Sequence, residues 1–237
     1  MMHLFPSDFQ RNVTRPARRP LAIFGAGGWG REVVMLVHQI NEHHPVWELV
    51  GVYDDVRPHP EVFPELPYRG TADDLNAATA PLHVAVAVGN SHHRAAVVAR
   101  LRSPHLSFAT LVHPSVARAP YQRLRLGAGC IVAQGCILTT DVTLGAHVLL
   151  NLGCTVGHDA VLEDFCSLMP HANVGGNAHL ETGVYLGTNA TVINHVRVGA
   201  RTIVGAGAVA VRDLPADCTA VGVPAKVVKE GLGSLGA

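Results

Sequence analysis

The chain has 237 residues, enough for one large domain or two modest ones. Hydrophobic residues make up 48% and charged residues 15%, which argues against disorder, and the zero net charge gives no general attraction to nucleic acids or anionic membranes. No apolar run approaches the roughly 20 residues of a membrane span, and the N-terminus lacks the apolar core of a signal peptide. We therefore expect a cytoplasmic protein with no nucleic-acid or membrane partner.

Residues 1–20 contain prolines and a short basic cluster at 11–19. A cluster this short in a Pro-containing segment is more typical of a solvated chain than of a binding patch. We therefore expect a flexible N-terminal arm over 1–20.

Residues 21–108 alternate short apolar runs with helical stretches. The predicted strands are 21–25, about 47–53 and 83–88, and the predicted helices are 31–43 and about 91–102. This βαβαβ order is typical of a small parallel sheet. We therefore predict an α/β, Rossmann-like half-domain over 21–108 that binds a nucleotide sugar.

A glycine-rich turn joins the first predicted strand to the first predicted helix. Its spacing, Gly25-x-Gly27-x-x-Gly30, fits the dinucleotide-binding fingerprint, and Asp54 lies about 24 residues beyond the last glycine. Backbone N–H groups at a helix N-terminus favour a phosphate here, although a tight turn without any ligand has the same spacing. The half-domain is too short for a complete NAD domain, so a nucleotide or a nucleotide sugar fits it better.

From residue 126 onward the sequence repeats with a period of six. The first position of fourteen consecutive hexads holds Leu or Val without exception: Leu126, Val132, Leu138, Leu144, Leu150, Val156, Leu162, Leu168, Val174, Leu180, Leu186, Val192, Val198 and Val204. The fifth position is small or β-branched in every hexad: Cys130, Cys136, Val142, Val148, Cys154, Ala160, Cys166, Ala172, Ala178, Val184, Ala190, Val196, Thr202 and Ala208. A run of this length does not arise by chance, so the period must reflect the fold.

The pattern predicts a triangular prism wound as a parallel β-helix, with three hexads in each 18-residue coil. The Leu or Val points inward and stacks on its counterpart one coil later, and the fifth position is small because the prism is narrow. Glycine often follows the first position. We expect glycine or a small polar residue to serve the corner, where a positive φ is needed. Fourteen hexads give about four and two-thirds coils, or a prism roughly 22 Å tall.

Four of the five cysteines occupy the fifth position of a hexad, and Cys136 and Cys154 lie one coil apart. We therefore interpret these cysteines as core residues rather than as redox or catalytic groups. The fifth, Cys218, lies outside the hexads, and the pattern makes no prediction for it.

Two segments that flank the hexads carry a resemblance to a known family: Ile-Phe-Gly-Ala-Gly-Gly-Trp-Gly-Arg-Glu at 23–32 and Val-Gly-Val-Pro-Ala-Lys at 221–226. Over about residues 20–230 the chain resembles bacterial sugar acetyltransferases of the sialic-acid O-acetyltransferase and nucleotide-4-amino-sugar N-acetyltransferase type. The resemblance implies a left-handed β-helix over 109–237, with a C-terminal tail, and a homotrimer with active sites between subunits. It also implies acetyl-CoA as co-substrate and no metal.

The family's general base is a histidine at the third position of a hexad, and the resemblance assigns this role to His158. The hexad geometry agrees, because the third position lies at the edge of the prism, where a ring reaches solvent or a neighbouring subunit. Asp159 matches an acidic residue that orients the imidazole and stabilises its protonated form. Gly176 lies one coil beyond His158, and the family places a backbone N–H there, where it stabilises an oxyanion.

The resemblance also implies two binding regions. The acetyl-CoA groove is expected to include Ser167, Gly176, Thr188, Gly205, Ala206, Pro224 and Lys226. The nucleotide sugar is expected to contact Gly27, Gly28, Trp29, Asp54, Asp55, Gly89 and Asn90. The chain departs from the family at two positions: Ser167 replaces a second histidine that contacts the acetyl group in amino-sugar enzymes, and Trp29 replaces a histidine of some members. These departures leave N- against O-acetylation open.

Three functions remain open on the sequence alone. The first is direct acetyl transfer from acetyl-CoA to the amine of a nucleotide-linked amino sugar, or alternatively to a hydroxyl of sialic acid or another sugar. The second is a metal-dependent enzyme of the gamma carbonic anhydrase type, a trimeric prism with histidines at its subunit interfaces; this chain has 15 histidines. The third is a non-catalytic prism used for assembly. The N-terminal half-domain and the Pro-Ala-Lys ending favour acetyl transfer.

Overall fold

The computed structural model describes residues 17–231, and the first half of this range is an α/β domain. Its elements are β1 (Arg19–Phe24), α1 (Gly28–His43), β2 (Trp47–Tyr53), β3 (Tyr68–Gly70), α2 (Ala72–Asn76), β4 (Leu82–Val86), α3 (Ser91–Arg100) and β5 (Leu106–Phe108). The five strands form one parallel sheet in the order β3-β2-β1-β4-β5, with α1 on one face and α2 and α3 on the other. The carboxyl ends of β1, β2 and β4 therefore meet at one edge of the sheet.

The structure confirms the predicted strands and helices and adds β3, α2 and β5. The two added strands have three residues each, all exposed or half-buried, so neither produces an apolar run in the sequence. β1 begins at Arg19, so the arm predicted over 1–20 overlaps the sheet at its end, and its first 16 residues lie outside the described residues. Within 17–231 no helix has the length and the apolar surface of a membrane-spanning segment.

Two close approaches shape the glycine-rich turn between β1 and α1. A Cβ at Gly30 would lie 2.0 Å from the Gly25 carbonyl oxygen, and a Cβ at Gly25, whose φ is 116°, would lie 2.4 Å from the carbonyl oxygen of Ala87. Both glycines are therefore required for α1 to pack tightly against the ends of β1 and β4. Packing in this way buries Val33 and Val37 of α1 completely.

The second half of the chain is a left-handed parallel β-helix, as the hexads and the resemblance predict. Its two-residue strands are β6 (Leu111–Val112), β7 (Arg125–Leu126), β8 (Ile131–Val132), β9 (Ile137–Leu138), β10 (Thr143–Leu144), β11 (Leu149–Leu150), β12 (Thr155–Val156), β13 (Val161–Leu162), β14 (Ser167–Leu168), β15 (Asn173–Val174), β16 (His179–Leu180), β17 (Tyr185–Leu186), β18 (Thr191–Val192), β19 (Arg197–Val198), β20 (Ile203–Val204) and β21 (Val209–Ala210). A longer strand, β22 (Cys218–Val221), follows β20 in its sheet and pairs with antiparallel β23 (Lys226–Glu230).

Three sheets form the faces of the prism. Face A has the order β19-β16-β13-β10-β7, face B the order β23-β22-β20-β17-β14-β11-β8-β6, and face C the order β21-β18-β15-β12-β9. The turns between them form edges AB, BC and CA, named by the faces they join in chain order. Paired strands lie one coil apart, so Leu144 lies beside Leu162 and Val156 beside Val174, which confirms the 18-residue coil.

The first and fifth positions of the hexads fill the core of the prism. The four hexad cysteines are 0–3% exposed, which confirms the interpretation of core packing. Burial raises the pKa of Cys130 to about 11, so its thiol stays protonated at neutral pH. Cys218 is also buried, with its Sγ 3.6 Å from the hydroxyl of Thr202.

The corners do have a positive φ, as predicted, but they do not lie at the glycine that follows the first position. The positive φ falls two residues later, at the fourth position of every hexad: Gly129, Gly135, Asp141, His147, Gly153, Asp159, Phe165, His171, Asn177, Gly183, Asn189, His195, Arg201 and Gly207. Glycine at the second position instead allows successive coils to approach. A Cβ at Gly157, for example, would lie 2.6 Å from the Gly176 nitrogen.

Carboxylates close the corners of edge AB. The third-position N–H groups of Ala146, Thr182 and Ala200 each donate to a carboxylate, at 2.7, 3.0 and 2.8 Å. The acceptors are Asp164, Glu163 and Glu181. Three third-position donors of this edge are thus satisfied by side chains one coil away.

Candidate active site

His158 and Asp159 form a pair at edge CA, between β12 and β13. The His158 Nδ1 lies 2.9 Å from the Asp159 Oδ2, and the two side chains are 54% and 53% exposed. Asp159 occupies a left-handed corner with φ 60°, which turns its carboxylate toward the preceding ring. An Nδ1–H that donates to this carboxylate leaves the Nε2 lone pair free to accept a proton.

Gly176 lies directly beneath the imidazole, as predicted from the 18-residue coil. A Cβ at Gly176 would lie 2.5 Å from the His158 Nε2, so only glycine leaves room for the ring. The neighbouring Asn177 N–H donates to the His158 carbonyl oxygen at 2.8 Å. The Gly176 N–H itself has no acceptor within residues 17–231, and an unpaired buried donor beside a free imidazole nitrogen suits a developing oxyanion.

Five of the residues predicted for the acetyl-CoA groove lie at edge BC or in the hairpin of β22 and β23: Thr188, Gly205, Ala206, Pro224 and Lys226. The sixth, Gly176, lies on edge CA beside His158. Thr188 accepts a hydrogen bond from the Gly207 N–H at 2.8 Å, and a Cβ at Gly205 would lie 2.8 Å from the Val221 side chain. Lys226 pairs with Val221 in the hairpin and is exposed. Face C therefore separates these residues from His158 and Gly176 of the same chain.

The prediction that Ser167 lies in the acetyl-CoA groove is wrong. This residue begins β14 and is completely buried. Its hydroxyl donates to the Gly89 carbonyl oxygen at 2.9 Å and accepts from Arg94 at 2.8 Å and from Ser91 at 3.2 Å. Because no part of Ser167 is accessible, it cannot contact an acetyl carrier.

Three glycines predicted to bind the nucleotide sugar have open space above them. A Cβ at Gly27 or Gly89 would meet nothing within 4 Å, and a Cβ at Gly28 would meet only the Arg31 guanidinium at 3.9 Å. Internal packing therefore does not require glycine here, in contrast to Gly25. The space above them leaves the backbone accessible, as the predicted contact between a phosphate and the N–H groups at the start of α1 requires.

The acidic residues after β2 lie where the fingerprint predicts them. The Ala26 N–H donates to the Asp54 carboxylate at 2.7 Å, which joins the end of β2 to the glycine-rich turn. Asp55 forms an ion pair with Arg100, and this contact holds the pKa of the Asp55 carboxyl below its usual value. Asn90 caps α3, because its side chain accepts from the His93 N–H at 3.0 Å.

Trp29 lines a narrow cleft between α1 and the prism, with Ala133, Gln134 and Leu152 on the other side. Its Nε1 is buried and has no hydrogen-bond partner in the described part of the chain. The indole therefore lies at the domain interface, and its role as a substrate contact stays a prediction.

Sequence reasoning missed Arg94, which is 1% exposed and joins the two domains. It lies in the second turn of α3, and its contacts are described below. Nothing in the local sequence distinguishes it from a solvated helical arginine. Within 17–231, no group of three His, Cys, Asp or Glu side chains is placed to hold a metal ion.

Comparisons with known proteins identify the family of the chain. The model of the PglD N-terminal domain family matches residues 20–101. The crystal structure of PerB from Caulobacter crescentus, in complex with CoA and GDP-perosamine, is 30% identical with a TM-score of 0.78, covering 90% of this chain and 99% of PerB. The chain belongs to the bacterial sugar N-acetyltransferases of the hexapeptide-repeat type.

The chain is similar to two further proteins. The acetyltransferase domain of PglB from Neisseria gonorrhoeae is 29% identical with a TM-score of 0.81, covering 89% of this acetyltransferase and 100% of that chain. Serine acetyltransferase from Synechococcus elongatus is 42% identical over 45 residues, 19% of this acetyltransferase and 18% of that protein. The chain thus spans about a fifth of the length of the curated relatives it matches in sequence.

Proposed function

We propose that this acetyltransferase moves an acetyl group from acetyl-CoA to the amine of a nucleotide-linked amino sugar, with His158 as general base. The observation that carries the proposal is the His158 Nε2 directly above Gly176, beside a backbone N–H without an acceptor. The acceptor class is supported by PerB, a perosamine N-acetyltransferase solved with CoA and GDP-perosamine. Because acetyl-CoA is an intracellular metabolite, the proposal places the protein in the cytoplasm.

The chemistry is a direct transfer. The amine nitrogen forms a bond to the thioester carbon while the His158 Nε2 takes a proton from that nitrogen. The Gly176 N–H donates to the carbonyl oxygen as negative charge develops on it, and Asp159 stabilises the imidazolium. The carbon–sulfur bond then breaks, coenzyme A leaves, and its sulfur takes up the proton. No described cysteine acts as a nucleophile in this scheme, since all five are buried.

We assign the two substrates to the two open regions of the molecule. The phosphates of the nucleotide sugar contact the backbone of Gly27 and Gly28, and Asp54, Asp55, Gly89 and Asn90 border the same sheet edge. Acetyl-CoA follows edge BC past Thr188, Gly205 and Ala206 to the turn at Pro224, where the exposed Lys226 faces its phosphates. Trp29 remains a candidate contact at the domain interface.

The separation of these regions favours a homotrimer with active sites between subunits. The α/β domain contacts edge AB through Arg94 and edge BC through Trp29, which faces the first two coils of that edge. His158, in contrast, lies on edge CA of the same prism. Face C joins edges BC and CA, and exposed apolar side chains lie on it and beside it. Ile137 of β9 is 58% exposed, and Ile193 and Val211, in the turns of edge CA that follow β18 and β21, are 40% and 38% exposed. In a trimer with face C turned inward, edge BC of one subunit meets edge CA of the next and completes the site.

The proposal is tested by measuring coenzyme A release across a panel of nucleotide-linked 4-amino sugars, free sialic acids and other sugar hydroxyls. We expect turnover with an amino sugar and a loss of about 100-fold or more in kcat for His158→Asn, the usual range for a general base. The matched control is His179→Asn, because His179 lies on face A and pairs only with Glu163. Turnover with hydroxyl acceptors alone, or a His158→Asn variant with near-normal kcat on the best acceptor, would contradict the proposal.

A further inference from the structure

A buried arginine links the predicted nucleotide loop to the prism. Arg94 is 1% exposed and makes no ion pair with a carboxylate in the described range 17–231. Burial lowers its pKa to about 10, so the guanidinium remains charged at neutral pH. A buried charge without a counterion costs several kcal/mol unless hydrogen bonds compensate it, so its acceptors must be accounted for.

The guanidinium divides its donors between the two domains. On the prism side, Nε donates to the His147 oxygen at 3.0 Å, and Nη2 donates to the Phe165 and Cys166 oxygens at 2.9 and 3.1 Å. On the other side, Nη1 donates to the carbonyl oxygens of Val88 and Gly89 at 2.7 and 3.1 Å. One side chain thus ties two successive coils of edge AB to the loop after β4.

Ser167 completes the link. Its hydroxyl accepts from Arg94 Nη2 at 2.8 Å and donates to the Gly89 oxygen at 2.9 Å. The Gly89 carbonyl is therefore held by two donors, while the space above its Cα remains open. This is the loop that the proposed function assigns to the nucleotide sugar.

We propose that Arg94 and Ser167 are positioning residues that fix the Gly89–Asn90 loop on the prism, in the geometry that binds the nucleotide sugar. The inference rests on the proposed function for the identity of the ligand. The prism, and not the α/β sheet alone, then sets the conformation of the loop. Arginine suits this task because its planar fork reaches acceptors in several directions, whereas a lysine ammonium is a compact group that cannot span them.

The test uses Arg94→Lys and Ser167→Ala in the full-length chain. We expect the KM for the nucleotide sugar to rise about tenfold in Arg94→Lys, the factor for loss of one charge-assisted hydrogen bond, and several-fold in Ser167→Ala. The KM for acetyl-CoA and the kcat at saturation should change less than threefold, because His158 and Gly176 lie on another edge. The matched control is Arg102→Lys, since the Arg102 guanidinium donates to the Ala99 oxygen at the end of α3, away from the loop, and its backbone N–H, which the substitution retains, donates to Asn76.

A merely structural role predicts a different result. In that case the melting temperature falls and both KM values rise together, or neither KM changes in a folded variant, and either outcome overturns the inference. Ser167→Ala retains the charge and most of the packing, so it keeps the test decisive if Arg94→Lys does not fold.

Hydrogen exchange separates this inference from the proposed function. If the wild-type protein acetylates no member of the panel, the proposed function fails, but amide exchange in residues 86–93 still reports on the loop. Faster exchange there in Ser167→Ala, with unchanged exchange in the coils around His158, supports positioning of the loop. Unchanged exchange over 86–93 refutes it.

Discussion

His147 is an ionisable side chain enclosed by aromatic rings and a cation. It is 4% exposed, with its ring centroid 4.5 Å from that of Phe108 and 5.2 Å from that of Phe165. Burial and the nearby Arg94 guanidinium lower the pKa of His147 to about 4. The folded protein therefore holds this imidazole neutral, and its Nδ1 finds no partner among the described residues.

This environment predicts a loss of stability in mild acid. The unfolded chain takes up a proton near pH 6.5 and the folded chain only near pH 4, so the stabilisation is complete above pH 6.5 and declines as the pH falls toward 4. We expect the free energy of unfolding to drop by about 2 kcal/mol more between pH 7.5 and 5 in the wild type than in His147→Phe. Phe165 occupies the equivalent left-handed corner one coil later, so phenylalanine is compatible with this backbone. Denaturant unfolding at the two pH values measures the difference, and parallel pH profiles of the two proteins would disprove it.

At the residue scale, the sequence predicted a contact correctly where the repeat relates the two residues. His158 and Gly176 meet because 18 residues separate them, and a period can be read directly. Arg94 was missed because all its partners but one are backbone carbonyls, and the prism partners lie more than 50 residues away. The error at Ser167 has a related cause, since its hexad position gives its height on the prism but not which domain covers it.

At the scale of the element, glycine in a hexad has two different causes, which the sequence alone does not distinguish: close approach of coils and a left-handed φ. The second position needs glycine where neighbouring coils nearly touch, and the fourth position needs a left-handed φ. The fourth position accepts Asp, Asn, His, Arg and Phe as well as Gly, so its common feature is conformational and not chemical. That is why the repeat of Leu and Val was evident from the sequence and the corner geometry was not.

The left-handed conformation of the corner predicts that valine and glycine at position 189 affect stability differently. This residue is exposed with φ 57°, a conformation that costs a β-branched residue about 1–2 kcal/mol. We expect Asn189→Val to lower the free energy of unfolding by that amount and Asn189→Gly to leave it within a few tenths. Thr191→Val, two residues later on extended β18, is the control for the change in hydrophobicity. Equal stability of Asn189→Val and Asn189→Gly would show that the corner tolerates branched side chains.

The whole molecule combines an α/β domain with a prism. The residues proposed to bind acetyl-CoA and the proposed general base lie on different edges of that prism. Most of this architecture follows from the sequence, because a strict period defines the prism and strand–helix alternation defines the sheet. The short edge strands β3 and β5 do not follow, since three half-exposed residues give no periodic signal. The docking of the two domains also does not follow, because it depends on contacts of single side chains.

A trimer built on face C predicts the behaviour of an interface variant. Ile193→Glu places a charge among the exposed apolar side chains on and beside that face, so we expect light scattering to show monomers in place of trimers. Activity should fall with the trimer, because each proposed site takes residues from two subunits. Val56→Glu, at a side chain that is 75% exposed in the α/β domain, should leave the mass unchanged. An active monomeric Ile193→Glu variant would rule out a site shared between subunits.

The carboxylates of edge AB bind backbone N–H groups at the surface of the prism and take no part in its core. All three edges share one backbone geometry. On edge AB, however, Asp164, Glu163 and Glu181 accept the hydrogen bonds of three third-position N–H groups. Within residues 17–231 no protein acceptor occupies the corresponding N–H groups of Gly176, Thr188 and Ala206 on the other two edges. A few surface acids that contribute nothing to the core thus influence which backbone donors of the prism stay free for a ligand. Exchange of these acids would free or occupy backbone N–H groups along one edge, while the hexad pattern that determines the fold stays unchanged.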